Sequence, residues 1–327
     1  MSEAIIVEDL VKRFKDVTAI NGISFRVRRG EVYGLLGPNG AGKTTTIHIL
    51  VTLLKPTFGK AFVAGFDVIK ESAEVRKRIG VVFQEPSLDI WLTAYDNIYI
   101  HGKLYGLSGR ELKRRIYELL DFVELKPYAG KLVAYFSGGM RRRLEIARTL
   151  LHEPEVLFLD EPTLGLDPQT RIRIWDYIMR IRKEHRTTIL LTTHYMDEAD
   201  ELCERIAIMD RGKIKAEGRP EELKAMIGSD VIYIKLDDQP KVEVSLEADF
   251  AKSCTWVSGD TIQLIVHDAP SAIPKILEAI EKAKVKVREV TYRRPTLNEV
   301  FIHLTGRDFR DSLKEGCHPP RPPRMRR

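Results

Sequence analysis

The feature that most constrains the fold is a glycine-rich octapeptide between an apolar run and a helical pattern. Residues 37–44 read Gly-Pro-Asn-Gly-Ala-Gly-Lys-Thr; they follow Val32–Leu36 and lead into a helix expected over Lys43–Leu54. Glycines let successive backbone N–H groups converge on one anion, and the start of a helix adds positive potential there. The order strand, glycine-rich turn, helix therefore predicts a phosphate-binding loop.

Each part of this loop has an expected task. Lys43 is placed to reach the β- and γ-phosphates of a nucleotide, and the Thr44 hydroxyl is placed to bind Mg²⁺. The alternative is a glycine-rich turn that precedes Lys-Thr by chance, but the flanking strand and helix favour the phosphate site. The predicted nucleotide-binding residues of the loop are Gly37, Asn39, Gly40, Ala41, Gly42, Lys43, Thr44 and Thr45.

Short apolar runs alternate with helical patterns through the first 228 residues. Ile79–Phe83, Val156–Leu159 and Thr188–Thr192 are continuous apolar or β-branched runs, which are typical of parallel strands covered on both faces. Asp167-Pro168 predicts a helix start between the last two runs. Residues 205–217 predict a hairpin, and Pro220–Met226 predicts a short helix that ends near Gly228. Residues 1–228 are thus predicted to form an α/β domain.

The character of the sequence changes after Ser229. Strands are predicted over 231–236, 261–266 and 285–291, and helices over 272–283 and 296–304. These elements predict a small α+β domain at residues 229–305. Residues 306–327 are rich in Pro and Arg and are predicted to be disordered.

Composition narrows the range of partners. The 327 residues carry a net charge of +6, but residues 306–327 alone hold seven Arg or Lys against three Asp or Glu. The rest of the chain is nearly neutral, which gives little indication of a nucleic-acid-binding face.

Three cysteines, Cys203, Cys254 and Cys317, form no CxxC pair, which argues against disulfides and zinc. No apolar run approaches the length of about 18 residues that a spanning helix needs, and the first residues carry no secretory pattern, so the expected location is the cytoplasm.

An acidic pair follows the apolar run 156–159. Asp160, at the end of a predicted strand, is placed to hold Mg²⁺, and Glu161 is placed to polarise a water for in-line attack on a γ-phosphate. Such a pair on its own is often a loop start or a helix cap. Downstream of a phosphate-binding loop, the catalytic interpretation is favoured.

A third motif connects these residues to a family. Ser137-Gly138-Gly139 at a predicted helix start is a second site suited to an anion, and it lies 23 residues before Asp160. The phosphate loop, this Ser-Gly-Gly and the acidic pair, in this order, resemble the ATP-binding cassette (ABC) family over about residues 4–228. The resemblance implies a P-loop NTPase fold with a parallel-sheet core, an antiparallel β part and a helical subdomain that carries the Ser-Gly-Gly motif. The resemblance implies further site residues: Gln84 as the Q-loop glutamine, Asp167 in the D-loop, His194 as the switch histidine and Phe14 as the aromatic that stacks on adenine.

Some positions depart from the usual family pattern and indicate a subgroup. Phe136 and Met140 flank Ser-Gly-Gly where Leu and Gln are usual, and Leu164-Gly165 replaces Ser-Ala. These variants, with the terminal segment 294–301 (Arg-Pro-Thr-Leu-Asn-Glu-Val-Phe), resemble daunorubicin-resistance-type ATPases, which drive export by ABC-2 permeases. Residues 229–305 are similar to the accessory domain of that subgroup.

The resemblance implies a mechanism. Two chains would clamp two ATP molecules, each between the phosphate loop of one chain and the Ser137 helix of the other. Glu161, His194, Gln84 and Lys43 are then the catalytic residues, and Thr44, Gln84 and Asp160 hold Mg²⁺, the one metal expected. The expected partners are a second copy of the chain and an integral membrane permease, with the ATPase on the cytoplasmic face and no nucleic acid involved.

The segment Glu85–Asn97 is the expected contact with the permease. It contains Ile90 and Trp91, which suit a membrane partner's coupling helix if they are exposed; the alternative is that Trp91 packs inward.

Two other functions compete with this one. The first is a soluble ABC ATPase that acts on nucleic acid or ribosomes, but that class usually has a long coiled coil or two cassettes. The second is a P-loop GTPase or kinase, which leaves Ser137-Gly138-Gly139 and His194 unexplained.

Overall fold

The fold was analysed in a computed structural model of the chain. The structure describes residues 2–15, 17–227, 230–237, 251–258, 260–282, 285–293 and 296–305. The predicted tail 306–327 and the predicted cap Gly228 lie outside the described residues. The chain divides into two compact units between Glu217 and Gly218; the sequence analysis put the boundary at residue 228.

Ten strands and seven α-helices lie between residues 3 and 218 among the described residues. The strands are Glu3–Phe14 (β1), Val17–Arg28 (β2), Val32–Leu36 (β3), Phe58–Val63 (β4), Phe66–Asp67 (β5), Ile79–Val82 (β6), Val156–Asp160 (β7), Thr188–Thr193 (β8), Arg205–Asp210 (β9) and Lys213–Gly218 (β10). The helices are Lys43–Leu50 (α1), Ser72–Arg78 (α2), Ala94–Leu104 (α3), Gly109–Phe122 (α4), Gly138–Leu150 (α5), Pro168–His185 (α6) and Met196–Leu202 (α7).

The central sheet has the strand order β10-β9-β3-β8-β7-β6. Strand β3 pairs in parallel with β8 and β9, and β7 pairs in parallel with β6 and β8. Every residue of β3, β7 and β8 is buried, as expected for strands covered on both faces. The predicted parallel α/β fold is confirmed, and β10 is the neighbour of β9, as the predicted hairpin requires.

Helix α1 is shorter than expected. It ends at Leu50 and not at Leu54. Thr52 adopts a φ of +69°, in the left-handed region, which interrupts the helical backbone. Pro56 follows soon after and lacks the N–H that a continued helix would use.

A second, antiparallel sheet has the order β2-β1-β4-β5. The resemblance implied an antiparallel part, but the sequence analysis did not locate its strands. The signal is present in β2, where Ile23, Phe25 and Val27 are buried at alternate positions. Register shifts between β1 and β2 interrupt this alternation, which weakens the pattern in the sequence.

Helices α3, α4 and α5 form the helical part that the resemblance implied. Their shared core includes Ile98, Leu112, Ile116 and Leu144, all fully buried. The N-terminus of α5 is the Ser-Gly-Gly motif, so packing in this small core sets the position of that motif.

The second unit is α+β, as predicted. Its elements are Pro220–Ala225 (α8), Asp230–Leu236 (β11), Ala251–Ser258 (β12), Thr261–Val266 (β13), Ala269–Lys282 (α9), Val287–Arg293 (β14) and Leu297–Thr305 (α10). The sheet order is β12-β13-β11-β14, with antiparallel pairs throughout. Helix α9 begins three residues earlier than expected, where Asp230 Oδ2 accepts a hydrogen bond from Ala269 N–H at 2.7 Å. Strand β12 was not predicted.

Two further expectations concern cysteines and membrane spans. Cys203 is buried and Cys254 is exposed, and both are free thiols, whereas Cys317 lies outside the described residues. No helix in the described parts of the chain is long and apolar enough to cross a membrane.

The central sheet predicts one stability difference. Phe158 is fully buried in β7, whereas Phe58 in β4 is 62% exposed. Phe158→Ala removes a packed aromatic ring and leaves a cavity, which costs about 3–5 kcal/mol. We expect its thermal unfolding midpoint, followed by circular dichroism, to fall well below that of the wild type. Phe58→Ala is the matched control and should stay near the wild-type midpoint; equal losses would contradict this account of the core.

Candidate active site

The glycine-rich loop lies at the carboxyl end of β3. Gly42 has a φ of +104°, and a Cβ atom on Gly37 would lie 2.3 Å from the carbonyl oxygen of Met209. Neither position accepts a side chain, because the first needs a left-handed backbone and the second meets fixed main chain. The tip residues Asn39 and Gly40 are exposed, whereas Ala41 is buried. The local sequence thus folds into an open cradle of main-chain N–H groups.

Lys43 lies at the centre of this cradle. Its side chain is 4% exposed, and Nζ donates to the carbonyl oxygens of Gly37 at 2.8 Å and Pro38 at 3.1 Å. Nζ also lies 3.4 Å from Glu161 Oε1. Burial lowers the pKa of Lys43, and the charge of Glu161 opposes that shift. A cation is therefore held where an incoming phosphate would meet it.

Thr44 and Asp160 face each other across the loop and the end of β7. Thr44 Oγ1 donates to Asp160 Oδ1 at 3.2 Å, and Thr192 Oγ1 on β8 donates to the same oxygen at 2.5 Å. Mg²⁺ in proteins is usually held by one or two carboxylates together with substrate phosphates and waters. The donor set fits that ion, because a buried carboxylate and a hydroxyl adjoin the phosphate cradle. The described residues contain no group of three or more His, Cys, Asp or Glu side chains that could hold a metal by themselves.

Glu161 follows β7 and is nearly buried. Its backbone has a φ of +47°, in the left-handed region, and its N–H donates to the carbonyl and the hydroxyl of Thr192, both at 3.1 Å. Its Oε2 lies 3.0 Å from His194 Nδ1. Burial by itself raises the pKa of Glu161, but the hydrogen bond from His194 and the charge of Lys43 outweigh it and lower the pKa. Glu161 is thus an ionised carboxylate held by two residues.

Gln84 is connected to the other site residues by a hydrogen bond of its main chain. It lies just beyond β6 and is exposed, and its carbonyl oxygen accepts a hydrogen bond from Arg142 at 3.3 Å. The predicted roles of its side chain in Mg²⁺ binding and catalysis stay predictions.

The predicted residues of the Ser137 helix and the Asp167 loop form a second cluster. Ser137 Oγ accepts from Met140 N–H at 3.2 Å and caps α5, and Asp167 accepts from Thr170 N–H at 3.0 Å and caps α6. A Cβ atom on Gly139 would lie 2.4 Å from Thr170 Cγ2, so the two helix starts pack together; Gly138 is the neighbouring glycine. No hydrogen bond between described residues joins this cluster to Lys43 or Thr44.

Phe14 is exposed, whereas the next two aromatic residues along the chain, Phe25 and Tyr33, are buried. Its side chain is 43% exposed, and Lys12 Nζ lies 4.9 Å from the centre of its ring. Phe25 and Tyr33 are buried and stack on each other with ring centroids 5.4 Å apart. Of these three rings, that of Phe14 is the exposed one, and its stacking on adenine stays a prediction.

Two residues of the site were missed by the sequence analysis. Thr192 holds Asp160 and the main chain of Glu161, and Arg142 donates to main-chain oxygens beside the site. A threonine inside the apolar run of β8 was a usable signal, because a buried hydroxyl needs a partner. Arg142 lies within a run of three arginines, and only the fold distinguishes it from the others.

A groove of about 250 Å³ lies between the central sheet and the helical part. Val51, Leu53 and Ile79 line one side, and Ser87, His101, Tyr105, Arg148 and His152 line the other. Burial, with the charges of Arg148 and His152, lowers the pKa of His101 to about 4, so its imidazole is neutral near pH 7.

Trp91 lies on the exposed loop that follows Gln84. Its side chain is 76% exposed and that of Ile90 is 41% exposed. The alternative in which Trp91 packs inward is wrong. The loop is held by its main chain, since Ile90 O accepts from Ala134 N–H at 2.9 Å and Leu92 O accepts from Val133 N–H at 3.0 Å.

Comparison with protein families gives two matches. Residues 20–164 match the ABC transporter family, and residues 218–305 match the C-terminal domain of DrrA1-3-like ATP-binding proteins. The second match begins where the structure divides the chain.

Curated relatives match nearly the whole chain. A daunorubicin resistance ATP-binding protein of Streptomyces coeruleorubidus is 43% identical over 94% of this chain and 97% of its own length. A Nod factor export ATP-binding protein of Ralstonia nicotianae is 40% identical over 93% of this chain and 94% of its own length.

Solved structures match about two thirds of the chain. The subunit cbiO1 of a Clostridium perfringens ABC transporter complex covers 69% of this chain and 92% of its own, with 31% identity and a TM-score of 0.64. A dimeric ATP-binding cassette in a post-hydrolysis state with ADP and Pi covers 66% of this chain and 98% of its own, with 28% identity and a TM-score of 0.61. The chain belongs to the ATP-binding proteins of ABC transporters, is similar to the daunorubicin-resistance ATP-binding proteins, and is an ATPase that binds ATP.

Proposed function

We propose that this chain hydrolyses Mg²⁺-bound ATP between two copies of itself and so drives export through an ABC-2 permease. The observation that carries the proposal is the carboxylate of Glu161. It is buried and ionised, it lies between Lys43 and His194, and it directly follows Asp160 beside the glycine-rich cradle.

ATP binding follows from the cradle and its cation. The main-chain N–H groups of Asn39, Gly40 and residues 42–45, with the Lys43 ammonium, bind the β- and γ-phosphates, and Phe14 stacks on the adenine. Lys43 would exchange its contacts with the Gly37 and Pro38 carbonyl oxygens for phosphate oxygens, which carry more negative charge. Thr44, Asp160 and Gln84 would hold Mg²⁺, which neutralises charge on the phosphates when it is bound.

Hydrolysis requires a water molecule in line with the γ-phosphate. Glu161 accepts a hydrogen bond from that water and takes its proton, because its lowered pKa keeps the carboxylate ionised at neutral pH. His194 orients Glu161 through the contact of its Nδ1 with Oε2, whereas Lys43 lies next to Oε1.

A second copy of the chain supplies the anion-binding cluster around Ser137 that completes the nucleotide site. Ser137, Gly138, Gly139 and Asp167 form a cluster that has no hydrogen bond to Lys43 or Thr44 among the described residues, yet its capped helix start is suited to an anion. A twofold pair places this cluster of one chain over the phosphates of the other, in an isologous arrangement. Loss of the γ-phosphate then releases the two chains.

The permease is proposed to dock at the 250 Å³ groove and the exposed Ile90–Trp91 loop. Both adjoin the segment after Gln84, so a change at the nucleotide site reaches the membrane partner through one short stretch of chain. The relatives are named for drug resistance and for Nod factor export, which favours export. The ATPase would thus work at the cytoplasmic face of the membrane, and no nucleic acid is required.

Lys43 should dominate nucleotide affinity. Charge-assisted hydrogen bonds are worth about 1.5–3 kcal/mol, so we expect Lys43→Ala to weaken ATP binding by about tenfold or more in isothermal titration calorimetry. Lys77→Ala removes an exposed lysine on α2 that pairs with Glu74 and should leave the Kd unchanged. An unchanged Kd in Lys43→Ala would remove Lys43 from the phosphate site.

Glu161 should be needed for hydrolysis and not for binding. Loss of a general base costs about 10²–10⁴-fold in rate, so Glu161→Gln should bind ATP, turn over at least about a hundredfold more slowly and accumulate as an ATP-bound dimer in size-exclusion chromatography with light scattering. Glu155→Gln, at the other end of β7, is the control. Equal turnover of Glu161→Gln and wild type would refute the base assignment.

Trp91 should be needed for contact with the permease. We expect tagged wild-type chain to recover an integral membrane protein from detergent-solubilised membranes of its own cells, and Trp91→Ala to recover much less while its ATP affinity stays unchanged. Phe58→Ala, which removes another exposed aromatic ring, should behave as the wild type does. ATPase stimulation by DNA or RNA, with no membrane protein recovered, would instead support the soluble ABC ATPase.

A further inference from the structure

Arg142 is a buried arginine that joins three functional segments. Its side chain is 6% exposed and projects from α5, one turn after Ser137. Nη1 donates to Phe83 O at 2.6 Å and Glu145 Oε2 at 3.2 Å. Nη2 donates to Gln84 O at 3.3 Å and Glu161 O at 3.2 Å. The four N–H groups on these two nitrogens therefore have four acceptors, and three of those acceptors are main-chain oxygens.

Glu145 and Arg148 extend the same contact along α5. The second carboxylate oxygen of Glu145 accepts from Ser87 N–H at 2.6 Å, and Arg148 donates to Ser87 O at 2.9 Å. Helix α5 thus holds both ends of the segment 83–87, which contains Gln84. A buried arginine is costly unless its charge and its donors are satisfied, and here Glu145 and the carbonyl oxygens satisfy both.

The contact with Glu161 bears on catalysis. Glu161 has a left-handed backbone with a φ of +47°, a conformation that a residue with a side chain keeps only when its surroundings impose it. Thr192 binds its N–H and Arg142 binds its carbonyl oxygen. The peptide groups on both sides of the Glu161 Cα are therefore fixed, and with them the direction of the carboxylate toward Lys43 and His194.

We propose that Arg142 is a positioning residue for ATP hydrolysis, which fixes the main chain of Glu161 and links it to Gln84 and to the helix that begins at Ser137. This inference rests on the proposed role of Glu161 as the base. Contact of Ser137 with a nucleotide on the other copy would shift α5. Such a shift would move the carbonyl oxygens of Gln84 and Glu161 together, because one nitrogen of Arg142 binds both.

The test compares kcat and KM for ATP in the full chain with Arg142→Gln, Arg142→Lys and Arg143→Gln. Misplacement of a catalytic group by about 1 Å can cost about a hundredfold in rate, so we expect Arg142→Gln to lower kcat at least tenfold while KM stays within twofold. Arg142→Lys keeps the charge and some of the hydrogen bonds and should recover part of the loss. If Arg142→Gln is not obtained as folded protein, Arg142→Lys is used for the test instead. Its kcat should then fall while its KM stays constant.

Arg143→Gln is the matched control. Arg143 lies next on the same helix and also donates to a main-chain oxygen, that of Val123 at 3.0 Å, away from Gln84 and Glu161. We expect its kcat to stay within twofold of the wild type. The same loss in both variants, or an unchanged kcat in Arg142→Gln, would overturn the proposal.

Glu161→Gln is measured alongside these variants. Wild-type turnover in Glu161→Gln would overturn the assignment of the base and this inference with it. Slow turnover in Glu161→Gln together with wild-type turnover in Arg142→Gln would overturn the positioning role alone.

Discussion

The buried contact of Lys43, Glu161 and His194 is the interaction on which the site depends. Lys43 and Glu161 are both nearly buried, with 3.4 Å between their charged atoms, and an unpaired charge at either position would be costly. Each therefore requires the other until phosphate oxygens provide an alternative partner for Lys43. The protein thus holds a cation and a carboxylate side by side next to the cradle.

Strand order explains why these residues meet. Strands β3, β7 and β8 are adjacent and parallel, so their carboxyl ends lie along one edge of the sheet. The cradle follows β3, Asp160 and Glu161 come at the end of β7, and His194 follows β8. Residues more than a hundred positions apart, such as Thr44 and Asp160, are within hydrogen-bond distance for this reason.

Helix α5 connects this edge to the surface that we assign to the permease. Its start carries Ser137, its next turns carry Arg142, Glu145 and Arg148, and those side chains bind the segment 83–87. Arg148 also lines the groove. We infer that a displacement of α5 would reach both the main chain of Glu161 and the groove, because side chains of α5 bind the carbonyl oxygens of Gln84, Ser87 and Glu161.

The parallel α/β core and the α+β second unit could be predicted from the sequence, and so could the placement of Lys43, Asp160 and Glu161 next to predicted strands. These follow from local signals: apolar runs, glycines where only glycine fits, and capping residues such as Ser137 and Asp167. The end of α1 at Leu50, the exposure of Trp91 and the burial of Arg142 among three consecutive arginines became visible only in the folded chain. The order of residues along the chain shows which of them are apolar or able to cap a helix. Contacts between residues far apart in the sequence depend instead on how the helices and strands pack. Arg142 meets the carbonyl oxygens of Gln84 and Glu161 because three segments converge there, and no periodicity in the sequence records that convergence.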